Sequence, residues 1–220
     1  ATTGAGGQAG SLRNWARTLT TYPFSLLLAV YFLSIMSFTA MTSVLALFAD
    51  RAHAMDAVDL GIIFSVAGGT TVVVRGLMVG WLARRVGERR IVQAGTVVLA
   101  LSLLAIPAVG NEAMMFALVP FWALAAGLTF PSLASLVSQE SEMGAQGAML
   151  GGQQVVGGIG RVLGPVWAGA LFGSVGIGSP FLVGSALVTV AAFIALRIPP
   201  PAHVRFVSDD AGLAADDVAV

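Results

Sequence analysis

The sequence predicts an all-α membrane protein with six transmembrane helices, and three observations carry that prediction. Hydrophobic residues make up 57% of the 220-residue chain and charged residues only 10%, whereas a soluble domain carries about 25% charged residues. A soluble globule of this length could not cover its surface with so few charges. The apolar residues are also gathered into six runs, each near the roughly 20 residues a helix needs to cross a hydrocarbon core about 30 Å thick. Finally, no run alternates apolar and polar residues in segments of about ten, which is the mark of a membrane barrel. Disorder is excluded because it needs low hydrophobicity and high net charge, and here the net charge is zero.

The first predicted span runs from Pro23 to Phe48 without a charge, too long for the core of a signal peptide. The second runs from Leu60 to Leu82, the third from Ile91 to Val109 and the fourth from Ala113 to Val137. The fifth begins near Gly144 and ends near Ser174, and the sixth lies between Pro180 and Arg197. Residues 1–21 read as a cytoplasmic linker, 22–198 as the six-helix membrane unit, and 199–220 as a cytoplasmic acidic tail carrying Asp209, Asp210, Asp216 and Asp217. The chain has no cysteine, which removes disulfides, thiolate metal sites and cysteine nucleophiles together.

Arginine sets the expected orientation, because cytoplasmic flanks are enriched in basic residues. With the N-terminus inside, Arg13, Arg17, Arg84, Arg85, Arg89, Arg90, Arg197 and Arg205 are cytoplasmic and only Arg51 is outside. Both termini are therefore expected in the cytoplasm.

Small residues at four-residue spacing let helix backbones touch. The fifth span carries Gly147/Gly151, Gly160/Gly164 and Gly169/Gly173, and the second carries Gly76/Gly80. Pro165, Pro120 and Pro131 free the carbonyls of Arg161, Phe116 and Gly127. Such carbonyls survive in a membrane only where protein or a water-filled cavity satisfies them, so the fourth and fifth spans are expected to face the interior.

The stretch Gly80-Trp81-Leu82-Ala83-Arg84-Arg85-Val86-Gly87-Glu88-Arg89-Arg90 ends one helix and begins the next around a glycine turn. Its physical reading is a cytoplasmic anchor on lipid phosphates. It also resembles the signature loop of the major facilitator superfamily, Gly-x-Leu-Ala-Asp-Arg-x-Gly followed by basic residues. Gly80, Leu82, Ala83, Arg85, Gly87, Arg89 and Arg90 match, and Arg84 stands where the family has Asp. The loop recurs in both six-helix halves of that family and is often degraded in the second. Gly160-Arg161-Val162-Leu163-Gly164-Pro165, with Ala168 and Gly169, is similar to the penultimate helix of bacterial drug:proton antiporters in the superfamily. The resemblance covers Pro23 to Arg197 and implies one half, the C-terminal one, of a twelve-helix transporter fold.

What the resemblance implies about function is alternating access against an N-terminal six-helix half, with proton-coupled efflux of small amphipathic molecules across a bacterial plasma membrane. Uptake of another small solute, and a scaffold or assembly subunit that moves no solute, stand as alternatives. No Asp or Glu lies within a predicted span, so a coupling carboxylate would come from the other half. An enzyme is not expected, since His53 and His203 fall outside the spans and no acidic pair sits within one. No cofactor, metal or nucleic-acid partner is expected; the expected partners are the lipid bilayer, the other half, a small-molecule substrate and protons.

Several residues are candidates for the site. Gln153 and Gln154 either line a solute path or bond a neighbouring helix. Trp122, Phe121 and Phe130 either stack on an aromatic solute or pack in the core. Arg75, about 10 Å of helix rise from the cytoplasmic end of its predicted span, can snorkel there and reads as an interface or gate residue rather than a ligand. Arg84, Arg85, Arg89 and Arg90 are expected to form a gate with Gly80 and Gly87, pairing with Glu140 or Glu142. Gly76, Gly160, Gly164, Pro165 and Gly169 are assigned to helix packing or breaks. Arg161 lies on the order of 20 Å from either end of its span, too deep to snorkel, so it needs a partner. The two choices are a carbonyl freed by a helix break, which is favoured, and an anion from outside these helices.

Overall fold

The computed structural model describes residues 22–141 and 145–199. The linker, the acidic tail, Glu142, Gly144 and His203 lie outside the described residues. Six helices have the length and apolar composition to cross a membrane: α1 Phe24–His53, α2 Ala57–Val86, α3 Glu88–Ala108, α4 Glu112–Gln139, α5 Gln146–Ser174 and α6 Ser179–Leu196. All six predicted spans are present.

The ends follow local chemistry. Asp56 opens α2 by accepting hydrogen bonds from the Val58 and Asp59 amides at 2.7 and 3.0 Å, and Asp59 accepts the Asp56 amide in return at 3.1 Å. That reciprocal arrangement satisfies donors that the first helical turn leaves open. Asn111 does the same at α4, accepting from the Met114 amide at 2.9 Å. Between α2 and α3 the chain reverses at Gly87 alone, whose φ of 81° is a conformation glycine adopts without steric cost. Both ends of that turn run on into charged sequence, so α2 reaches four residues past Leu82, to Val86.

The helices form a row of neighbours, α2–α4–α3–α6–α1–α5, bent so that α1 also meets α4. The larger part of the core lies among α1, α3, α4 and α6, where Leu99, Leu103, Met115, Phe181 and Val188 are buried with Met41, Leu45 and Phe48. Trp122 belongs to this core. It is 4% exposed and packs against Phe38 with ring centroids 5.9 Å apart. The expectation that Trp122 lines a solute cavity is therefore corrected: an indole in an apolar helix found an apolar neighbour rather than an opening. Phe121 is 57% exposed on the outer side of α4.

Glycines set the closest approach, between α1 and α5. A methyl group at Gly160 would lie 2.9 Å from Ile35 Cγ2, and one at Gly164 would lie 2.5 Å from the Met36 carbonyl oxygen and 3.0 Å from the Ala40 amide nitrogen. Gly157, which follows the same face one turn earlier, would meet the Tyr31 ring. The packing face is thus Gly157, Gly160, Gly164 and Ala168. Gly76 and Gly169 meet nothing within 4 Å, as do Gly147, Gly151 and Gly173, and their assignment to helix packing is corrected for contacts within this chain. Four-residue spacing marks a face of small residues without saying whether a neighbour covers it.

Candidate functional site: a cationic cavity between α1, α2, α4 and α5

The two least covered spans, α2 and α5, stand on either side of an opening whose floor is made by α1 and α4. The cavity there has a volume of about 340 Å³ and is lined by Tyr31, Ile35 and Phe38 of α1, Arg75 of α2, Phe130, Pro131 and Ala134 of α4, and Gln153, Gln154 and Arg161 of α5. One wall is apolar and aromatic, with Tyr31 and Phe38 each edge-on to Phe130 at 6.0 and 5.7 Å. The other is polar and carries two guanidinium groups. Among the described residues, no acidic one lines it.

Arg161 is held by position rather than by an ion pair. Its Nη2 donates to the Tyr31 hydroxyl oxygen at 3.1 Å and, more weakly, to Gln154 Oε1 at 3.5 Å. Tyr31 itself is 4% exposed, and it reaches α5 because Gly157 has no side chain where the ring sits. The favoured expectation of a backbone carbonyl as the partner of Arg161 is corrected, since both acceptors are side chains. Pro165 lies within a continuous α5, and the guanidinium points away from that break.

Arg75 of α2 also lines this cavity. It sits in a π-helical turn, Val74–Met78, where Val74 packs beneath Gly127 of α4 with 3.1 Å between Val74 Cγ1 and a methyl placed there. Because α2 continues to Val86, Arg75 lies about 16 Å of helix rise from that end. An interrupted helix in an apolar run is the type of local irregularity that accompanies functional positions, and no composition signal announces it.

Gln153 and Gln154, adjacent in sequence, face differently. Gln154 is exposed to the opening. Gln153 is 1% exposed, yet neither its amide nitrogen nor its oxygen has a hydrogen-bond partner. A buried amide in that state costs about 1–3 kcal/mol.

The arginine loop closes the end of the bundle in a different way from the one expected. Arg85 lies over the Trp81 ring, 4.7 Å from its centroid, and Arg89 donates to the Leu196 carbonyl at 3.2 Å. The acidic residue engaged there is Glu88, which accepts from the Ser135 hydroxyl at 3.2 Å and from Gln139 Nε2 at 2.9 Å, tying the start of α3 to the end of α4. Among the described residues, no ion pair joins these arginines to Glu140, so the Glu140 alternative is corrected, while Glu142 lies outside the described residues.

A six-helix membrane unit with a polar cavity left open on one side defines the class: an integral membrane protein built to border a solute-sized space. The sequence model of the Major Facilitator Superfamily matches residues 27–215, and the chain belongs to that family. It is 26% identical over 185 residues to the tetracycline resistance protein, class D, of Salmonella ordonez, which spans 83% of this chain and 47% of that protein. It is likewise 26% identical to the major facilitator superfamily domain-containing protein 10 of Mus musculus, covering 79% of this chain and 38% of that one. The chain therefore spans about half the length, or less, of the curated relatives it matches.

Among solved structures, the human organic anion transporter MFSD10 (TETRAN) superposes with a TM-score of 0.71 at 23% identity, covering 77% of this chain and 40% of that one. The peptide transporter POT, solved in complex with sulfate, gives 0.70 at 18% identity, covering 90% and 46%. At these identities the likeness is one of fold. The family and the structural neighbours are transporters.

Proposed function

We propose that the chain is the C-terminal half of a secondary transporter that exports small amphipathic molecules by alternating access, coupled to protons. The observation that carries the reading is the cavity: a polar space bordered by two arginines and two glutamines inside an apolar bundle has no packing purpose, and polar groups at membrane depth accompany solute paths. Its volume, about 340 Å³, lies at the lower end of the roughly 300–1,000 Å³ typical of small-molecule sites. The open side between α2 and α5 is where a second six-helix half would complete it. Efflux is supported by the tetracycline resistance proteins among the relatives. A coupling carboxylate would belong to the other half, since no acid among the described residues lines the cavity here.

The test is flux. Reconstituted in proteoliposomes, the transporter containing this chain should move tetracycline or another amphipathic solute with saturation and faster when a pH gradient is imposed. Leak-level flux for every solute of such a panel, under either gradient, would contradict the reading.

The proposed orientation places both termini and the arginine loop in the cytoplasm of a bacterial plasma membrane. This chain contributes no cysteine, so single cysteines at Ala54 and Ser179 can be scored once any cysteines elsewhere in the transporter are replaced. Both should react with an impermeant maleimide added outside intact cells, and reaction only after the membrane is opened would reverse the assignment.

A further inference from the structure

We propose that the cavity bordered by Arg75 and Arg161 is selective for organic anions, with the carboxylate or sulfonate of an amphipathic solute held by Arg161, Arg75 and Gln153 against the apolar wall of Phe38 and Phe130. The inference rests on the cavity being the solute site and goes beyond that reading by assigning the charge of what enters. Two positive groups line one space of about 340 Å³ with no acidic residue among them. A guanidinium within a transmembrane segment is costly unless partnered, and here two share one cavity. The hydrogen-bond partners of Arg161, Tyr31 and Gln154, are neutral, so no acidic group among the described residues pairs with its charge. Among the described residues, the Arg75 guanidinium makes no hydrogen bond or ion pair.

A second observation is independent of the arginines. Gln153 is buried to 1% exposure and lines the same cavity, with its amide nitrogen and oxygen both unbonded. Its NH₂ group supplies two further donors. Guanidinium forks and an amide NH₂ are donors, and the ligand that satisfies donors while neutralising charge is an oxyanion. Phe130, facing the edges of Tyr31 and Phe38, gives the remainder of such a molecule an aromatic surface. The same anionic chemistry has one other source, an Asp or Glu carboxylate of the protein outside these helices.

The experiment uses the transporter containing this chain in lipid nanodiscs and two radiolabelled probes of one shape, 2-naphthoate and its neutral amide, 2-naphthamide. Naphthoate should bind saturably and at least tenfold more tightly than the amide. Arg161→Gln and Arg75→Gln should each weaken naphthoate at least tenfold while leaving the amide within about twofold, and Arg161→Lys should recover part of the loss. Equal binding of the two probes, or an Arg161→Gln protein that is folded and keeps full naphthoate affinity, would overturn the proposal. A protein carboxylate on the arginines would show as no anion preference together with a lowered thermal midpoint in Arg161→Gln, and that result also overturns it. Failure of the inference is separable from failure of the transport reading: saturable flux of neutral solutes with no charge preference removes only the anion, whereas charge-selective binding without flux removes only the transport.

Discussion

Gly164→Ala should destabilise the folded helical bundle by about 1–3 kcal/mol or more, the range for inserting a methylene into a closed space. The added methyl would lie 2.5 Å from the Met36 carbonyl oxygen and 3.0 Å from the Ala40 amide nitrogen. The methyl would also meet Thr39 Oγ1, which can rotate, but the other two are backbone atoms that cannot, so α1 and α5 must separate. In a membrane, where no hydrophobic effect drives helices together, that close contact is a large share of what holds the pair. Gly169→Ala is the matched control, because nothing lies within 4 Å of that position, and alanine is the better helix former. Thermal denaturation in detergent should show a lowered midpoint for the first and none for the second; equal midpoints would show that the two helices do not meet as described.

Gln153→Leu is expected to move stability and function in opposite directions. The glutamine side chain is buried with both polar atoms unbonded, so an apolar replacement of similar size removes a desolvation penalty of about 1–3 kcal/mol. If the amide is there to meet a solute, the gain in stability comes with a loss of solute affinity. A midpoint that rises while flux falls is the expected pair of results. A variant that loses stability would mean that Gln153 is bonded to something in its resting state, and one that keeps full flux would remove it from the site.

How much of this was legible in the sequence depends on what each residue type reports. The six spans were read correctly because long apolar runs leave little choice but to cross a bilayer. Their ends were less exact, since charge marks where lipid stops and not where the helix does: α1 continues through Arg51 to His53 and α2 through Arg84 and Arg85 to Val86. Arg75, read as an interface or gate residue, lines the cavity from a π-helical turn at Val74–Met78 that no composition signal announces. Arg161 was recognisable by depth alone, and its buried acceptor, Tyr31, lies 130 positions away. Gly157 escaped notice because the face it shares with Gly160 and Gly164 follows a spacing of three and then four, whereas Gly76 and Gly169 fit the four-residue pattern and face outward. Helices apolar all round give no stripe to say which side is covered, so Trp122 and Phe130 were indistinguishable until their neighbours were known.

An aqueous, cationic solute cavity between α1, α2, α4 and α5 would admit charged reagents and favour anionic ones. With any cysteines elsewhere in the transporter replaced, this chain contributing none, the reaction rates of single cysteines with charged, water-soluble methanethiosulfonates decide it. Ala134→Cys, on the cavity wall, should react readily, faster with the anionic sulfonatoethyl reagent than with the cationic trimethylammonium one, and should be protected by 2-naphthoate. Ala123→Cys, 1% exposed in the core, should be inert to both. An Ala134→Cys protein as unreactive as Ala123→Cys would show that the space is closed to water, and faster reaction with the cationic reagent would contradict the charge assigned to it.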